Sequence, residues 1–270
     1  MNLPSTLLDT LRQFVSQTPL ALWAIAIAVF TAAELVTGQR VPWHRRLVNL
    51  VNGSVVLLVI FFAGPLVAGT LHWLQGSLGY KPLFLLDRYV PSAPLAALIF
   101  LLAYDLGYYG FHRLQHAAPL LWRVHAVHHS ETDLNATSYV RQHFLENVLQ
   151  SFAVMVPLLM VVPVMPRTLA WVALISAMVQ FFAHAALPIH FGPLSALFIS
   201  PRLHRIHHSA DRVESDSNYA SMFPLWDVLF RTYRPPSPRP ERTGLHSGER
   251  LPGLWPLLSS PFRRRPATIA

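Results

Sequence analysis

The sequence predicts an all-α integral membrane protein. Four or five spanning or re-entrant helices form the bundle, and a histidine-rich helical cap lies on its cytoplasmic side. Three observations predict this: apolar stretches of bilayer length, 13% charged against 53% hydrophobic residues, and histidines clustered at helical spacing. Soluble domains carry about 25% charged residues, so one membrane-embedded unit fits the 270 residues better than soluble domains. Cysteine is absent, which excludes disulfides, thiolate metal sites, cysteine-ligated iron–sulfur clusters and a cysteine nucleophile.

Asp9 and Arg12 precede the first apolar run without a basic start or a small-residue cleavage site, so no removable signal peptide is expected. Apolar stretches follow at 20–36, 47–74, 93–111, 148–165 and 169–186. A helical span needs about 20 apolar residues. The last two stretches are short and separated by Pro166, Arg167 and Thr168, which predicts a tight helical hairpin. Buried core helices of a soluble protein are the alternative, and so few charges argue against it.

Alternating spans place 37–46, 112–147 and the segment from 187 on one side. That side holds Arg40, Arg45, Arg46, Arg113, Arg123, Arg141 and eleven later arginines, 17 of the 21 Lys and Arg. Arg12, Lys81, Arg88 and Arg167 fall on the other side. Positive charge near span ends favours the cytoplasm. The expected location is therefore a bacterial-type inner membrane or its equivalent, with the site on the cytoplasmic face. The net charge of +8 then reflects topology and not binding to nucleic acid.

The histidines read His112-x3-His116, His125-x2-His128-His129, a lone His184, and His204-x2-His207-His208. Imidazoles at i, i+3 and i+4 share a helix face, so each box is expected to aim at a single point. Neutral imidazole is a common ligand of zinc, iron, copper and nickel. Incidental surface histidines are the bland reading; eight of the fourteen falling into three boxes argue against it. The predicted topology brings all the boxes to one face. One ion takes about four to six ligands, so this many imidazoles suit two. Zinc, iron, copper and manganese all accept such ligands. A neutral all-nitrogen shell facing lipid suits redox iron that binds O2 beside a hydrocarbon.

Other residues carry weaker signals. Asp105 lies two turns before His112 and is expected to accept a hydrogen bond from a ligand's second N–H. His184 alone, on spacing, reads as readily as a capping or packing residue. His143 and His190 are further candidate ligands. Trp226 and Asp227 are expected to brace the last box, while His44, His72 and His246 look incidental.

Asp105, Tyr108-Tyr109, His112-Arg113 and His116, then Trp122, His125 and His128-His129-Ser130, together resemble the fatty acid hydroxylase superfamily, which includes sterol desaturases. So do Pro201 to Ser209, Asn218-Tyr219-Ala220 and Trp226 to Tyr233. The resemblance covers 93–234. It implies a membrane-bound non-haem di-iron oxygenase that hydroxylates or desaturates a lipid or sterol-like substrate with O2. It also implies His184 as a further ligand. Where the family has glycine in its Asn-Tyr-Gly and Leu-Phe-Gly-Thr stretches, this chain has Ala220 and Arg231.

The expected organisation is membrane spans in 1–92, a catalytic unit in 93–234 and a flexible basic tail in 235–270, rich in Pro235, Pro236, Pro238, Pro240 and Arg263 to Arg265. No reductase or haem-binding module is evident, so electrons are expected from a separate cytochrome b5-like protein, ferredoxin or reductase. A slot between helices, opening to lipid, is expected to set position specificity. A membrane zinc hydrolase is the alternative that shares the ligands. A metal transporter would need polar-lined spans, and Asn49, Asn52, Asp105 and Gln180 supply little such lining.

Overall fold

The computed structural model describes residues 20–80, 85–236 and 242–263. Asp9, Arg12, Lys81, Pro238, Pro240, Arg264 and Arg265 lie outside the described residues. Among those described, regular structure is helical. Ser209 and Thr243 make an isolated antiparallel bridge, and no strand occurs.

The helices follow the five apolar stretches in order. They are α1 (Leu20–Val36), α2 (Trp43–Ser77), α3 (Ala93–Ala117), α4 (Pro119–His129), α5 (Phe144–Val161), α6 (Pro166–His184) and α7 (Pro201–His207). Of these, α2, α3, α5 and α6 are long and apolar enough to cross a membrane. Helix α1, with 17 residues, is shorter. The predicted hairpin is α5 and α6, of 18 and 19 residues. At 1.5 Å per residue each is about 27–28 Å long, close to the roughly 30 Å of a hydrocarbon core.

Proline sets several boundaries. Ala118 is extended (φ −96°, ψ 118°) because the ring of Pro119 disfavours helix in the residue before it. The chain therefore turns between His116 and His125, and α4 folds back beside α3. Pro166 and Pro201 open α6 and α7 in their first turns, where a missing N–H costs nothing. Within α5, a π turn spans Ser151–Met155.

Packing separates an inner from an outer face. On α3, Ala96, Ala97, Phe100 and Leu101 are fully buried. They meet Val154 of α5, Val172 of α6 and Met222. Leu95, Leu98, Leu102 and Leu106 lie outward on the same helix. An apolar residue facing out on an apolar helix suits lipid contact.

Helix α2 has 35 residues and is about 52 Å long, more than a bilayer core requires. Its first turns are polar and hold the loop that follows α4. Asn49 Nδ2 donates to Glu131 (2.9 Å), and Asn52 Nδ2 donates to the carbonyls of Val140 (3.1 Å) and Gln142 (2.8 Å). Arg46 pairs with Glu34 of α1 at 2.7 Å, both side chains fully or nearly buried. These two asparagines, read as poor channel lining, act as a docking strip.

The segment expected to be a flexible tail is partly built into the body. Leu251 and Leu257 are buried against Val127 of α4. Arg141 donates to the carbonyl of Leu251 at 2.8 Å. Burial of these leucines holds residues 242–263 in place despite the prolines and arginines around them.

Candidate metal centre

The nine histidines meet in two groups. His112 and His116 of α3, His125 and His129 of α4 and His207 of α7 form one. His128 of α4, His184 of α6, His204 of α7 and His208 just after it form the other. All nine are buried, and within each group the ligand atoms lie within 4.8 Å of one another. The groups abut: the rings of His129 and His208 stack with centroids 4.5 Å apart.

The structure corrects one detail of the expectation. Each HxxHH box was expected to aim at one point, yet each divides between the groups. Residues i and i+4 differ by about 40° around a helix, while i+3 falls about 60° to the other side. His125 and His129 therefore share one group and His128 joins the other; His204 and His208 likewise separate from His207. Helices α4 and α7 serve both groups, whereas α3 and α6 each serve one.

The donor set fits two ions. Facing Nε2 atoms lie 2.9 Å apart for His112 and His125, 3.1 Å for His128 and His184, and 3.0 Å for His184 and His204. Two ligand atoms on one ion with roughly 2.1 Å bonds lie about 3.0 Å apart along an octahedral edge, against about 3.4 Å in a tetrahedron. The Nε2 atoms of His116 and His207 are buried with no hydrogen-bond partner among the described residues. A buried polar nitrogen left unpaired is costly unless something else binds it.

Ring orientation is set from behind. An ion held at Nε2 leaves Nδ1–H free to donate. The acceptors are the carbonyls of Tyr219 for His112 (2.7 Å), Arg141 for His128 (3.1 Å), Gln180 for His184 (2.8 Å) and Ser217 for His207 (2.8 Å). Carboxylates do the same for two rings: Glu146 for His125 at 2.7 Å and Asp216 for His116 at 3.0 Å. Such partners fix the tautomer and raise ligand basicity. Sequence reasoning passed over Glu146 and Asp216. The available signal was a lone acid at the start of an apolar helix, three residues after His143.

Glu146→Gln is predicted to weaken metal binding about 10- to 100-fold, the usual cost of losing such a partner. Competition against a chelator measures it, and unchanged affinity would show that Glu146 only fills space.

Asp105 corrects another expectation. Its carboxylate accepts the backbone N–H groups of Ser221 (2.9 Å), Met222 (3.0 Å) and Phe223 (2.8 Å), and no histidine. It fixes the turn beside the metal groups. Among the described residues Asp227 makes no contact with the last box; it accepts from the N–H groups of Tyr219 (2.7 Å) and Ala220 (2.9 Å) and from Thr232 Oγ1 (2.7 Å). The Tyr219 carbonyl then orients His112.

His143 and His190 stand outside both groups. His143 caps α5, its Nδ1 accepting from the Leu145 N–H, while Nε2 meets the Leu258 carbonyl at 3.1 Å. His190 Nδ1 accepts from the Gly192 N–H at an exposed turn. His246, read as incidental, stacks on Trp122 with centroids 6.5 Å apart.

Burial pushes the His128 imidazole down to about 4 and that of His207 down to about 3, and holds His129, His204 and His208 well below the usual range. The rings are therefore neutral and ready to ligate. In the unfolded chain they titrate near about 6.5, so below that pH the unfolded state binds more protons and stability falls as pH drops. The loss levels off near the folded values. Metal-free protein is predicted to melt at progressively lower temperature from pH 7 toward pH 4, and a flat profile would contradict neutral burial.

A cavity of about 50 Å³ is bounded by His112 of one group and His128, His184 and His204 of the other. Tyr108, Tyr139, Gln142, Asn147, Gln150 and Gln180 complete much of its wall. Beyond Ser221, whose carbonyl accepts from Gln180 Nε2 at 2.6 Å, runs an apolar groove of about 400 Å³. Leu98, Val179, Phe182, Phe198, Met222 and Phe223 are among its lining.

With this geometry established, comparison with known proteins decides the family. The fatty acid hydroxylase model matches residues 97–232, half of the chain. The chain belongs to the fatty acid hydroxylase family. Its relatives include ornithine lipid hydroxylase OlsE of Rhizobium tropici, 33% identical over 215 residues, 79% of this chain and 63% of that protein. Alkylglycerol monooxygenase of Xenopus tropicalis is 35% identical over 50% of this chain and 29% of its own length. The human alkylglycerol monooxygenase is 34% identical over 49% and 29% respectively. The chain thus spans less than two thirds of each of these relatives. No solved structure matches it.

Family membership explains one backbone feature. Arg231, where the family has glycine, adopts φ 61°, the left-handed region that side chains disfavour. Ala220, the other departure, is buried and donates its N–H to Asp227. Neither change touches the histidines.

Proposed function

We propose that this chain is a membrane-bound, O2-dependent lipid hydroxylase, a non-haem di-iron oxidoreductase. One observation carries the reading: two abutting all-imidazole groups open onto one cavity at the end of an apolar helical bundle. Two iron ions, when bound, would supply the reduction of O2 that puts one oxygen atom into a C–H bond and releases the other as water, using two electrons and two protons.

The chain's own residues do the rest. The nine histidines hold the ions through Nε2, and Glu146, Asp216 and four backbone carbonyls keep the rings aimed. The apolar groove suits a hydrocarbon chain delivered from lipid. Close packing of α3, α5 and α6 excludes bulk water from the reacting carbon. The names of the relatives favour hydroxylation over desaturation. The electrons are assigned to a separate donor, and the imbalance of arginines favours the cytoplasm for the histidine side. The catalytic unit is assigned to 93–234.

A zinc hydrolase is less well supported. Five imidazoles exceed the four ligands of a tetrahedral zinc site. Among the described residues, no carboxylate lines the cavity to act as general base.

The test is to purify the protein without oxygen, load it with ferrous iron, and supply membrane lipid extract with 18O2. The label should appear in lipid, with two irons bound per chain. Turnover that needs no O2, or that zinc supports as well as iron, would reject the oxygenase.

A further inference from the structure

The last described segment turns its apolar residues to two sides. Leu251 and Leu257 are buried with Val127 of α4, and Val48 of α2 packs against them. Trp255, on the short helix Leu254–Ser259, and Phe262, in the turn after it, are instead 73% and 66% exposed. The spans beneath decide what covers those rings. Beside Val48, the residues Leu47, Leu50 and Val51 face outward from α2, as lipid-facing residues do. The Phe262 ring lies 5.6 Å from that of His143, which caps α5. Helix α5 is just long enough for a hydrocarbon core, so its first turn marks where hydrocarbon meets headgroups. The segment thus lies across the entrances of two spans, and its exposed rings face away from the protein at headgroup level. Trp43, also largely exposed, opens α2 on the same side.

Water is a poor solvent for such a face, because two large rings stay out of contact there. Aromatic side chains favour the membrane interface, where the ring meets lipid and a polar edge stays wet. Arg263 adds a charge. Its Nη2 donates to Ser259 Oγ at 2.9 Å, and that hydroxyl donates to the Trp255 carbonyl, so the guanidinium sits over the turn that carries Trp255. A cation at this level is drawn to anionic headgroups. From this placement we propose that residues 251–263 form a membrane contact separate from the spans, an anchor lying on the anionic headgroup layer. Trp255, Phe262 and Arg263 bind the lipid. The inner side of the same segment braces the four-histidine group. The Leu251 carbonyl accepts from Arg141, and the Leu258 carbonyl meets His143 Nε2. The Arg141 carbonyl in turn orients His128. Seating on lipid therefore steadies a metal ligand, and it does so whether or not the chain oxidises lipid.

The chain has no cysteine, so a single introduced one can carry a nitroxide label. Full-length Trp255→Cys and Phe262→Cys are labelled in bilayers of phosphatidylcholine with phosphatidylglycerol. Two relaxing agents report depth: O2, which concentrates in lipid, and a nickel chelate, which stays in water. Ser247→Cys, exposed ahead of the segment, and Leu58→Cys, outward on α2, serve as references. All four side chains are exposed, so the substitutions should leave the fold intact. Positions 255 and 262 should favour O2 over nickel as position 58 does. Nickel access equal to that at 247 overturns the proposal. Exclusion of both agents also overturns it, since protein, such as a second copy, would then cover the rings. Adding Arg263→Glu to Phe262→Cys should raise nickel access roughly fivefold, the usual effect of one charge at such a surface. No change would reject anionic headgroups as the occupant. The brace is read separately, in zinc-loaded protein in the same bilayer. Trp255→Ser combined with Phe262→Ser should release one zinc to a chelator about threefold faster than wild type, less than the 10- to 100-fold cost of losing a direct partner. The other zinc should leave at the wild-type rate. Wild-type release of both ions would overturn the brace.

Discussion

Replacing His128 by alanine should leave the chain holding one metal ion instead of two, whereas replacing His207 should weaken binding at the other group, which keeps four histidines. The two residues come from different boxes but occupy equivalent places, each being the i+3 histidine that crosses from its own pair to join the neighbouring group. His128→Ala reduces the four-histidine group to His184, His204 and His208. His207→Ala reduces the five-histidine group to four. Lipid oxidation should fall to background in both variants, because each leaves one ion missing or held by an incomplete ligand set. Membrane insertion should persist, because neither ring contributes to the apolar spans. Metal analysis per chain alongside product formation makes the check. Loss of both ions from either variant would mean that the groups are not separate sites. Full activity in either would remove the pair as the catalytic centre.

Glu34→Ala should destabilise the folded protein by about 3–5 kcal/mol, the scale for breaking a buried ion pair by removing one partner. Glu34 is fully buried, its Oε2 2.7 Å from Arg46. Its Oε1 accepts the N–H groups of Ala136 (2.8 Å) and Ala186 (2.6 Å). One carboxylate thus joins α1, α2, the loop after the second box and the residue pair following His184. Its removal strands a buried guanidinium and two backbone donors. The variant should melt far below wild type in detergent, and its four-histidine group should bind metal more weakly because His184 loses its anchor. A thermal shift equivalent to less than 1 kcal/mol would show that water or a neighbouring group replaces the carboxylate.

Much of the site was legible in the sequence, because helical spacing translates directly into which side chains share a face. The eight boxed histidines were found that way, and resemblance added His184. The helical wheel also contains the split of each HxxHH box, although reading a box as a single target hid it. His143 and His190 show the limit of residue type. One became a helix cap and the other an exposed turn residue, since a histidine beside a cluster ligates only if the backbone turns it inward. Asp105 shows the limit of spacing. Two turns before His112 put it on the right face, yet three backbone N–H groups of the 221–223 turn, more than a hundred residues away, captured its carboxylate.

The amino-acid pattern alone determined the helical class, the apolar spans and the presence of metal-binding boxes, because period and hydropathy are local properties of the chain. Tertiary structure alone decided that nine rings form a group of five and a group of four. It also decided that Glu146 and Asp216 orient two of them, and that an uncharged polar cavity lies against the histidines. Those facts depend on which distant segments touch, and contact between distant segments is settled by the packing of the whole bundle.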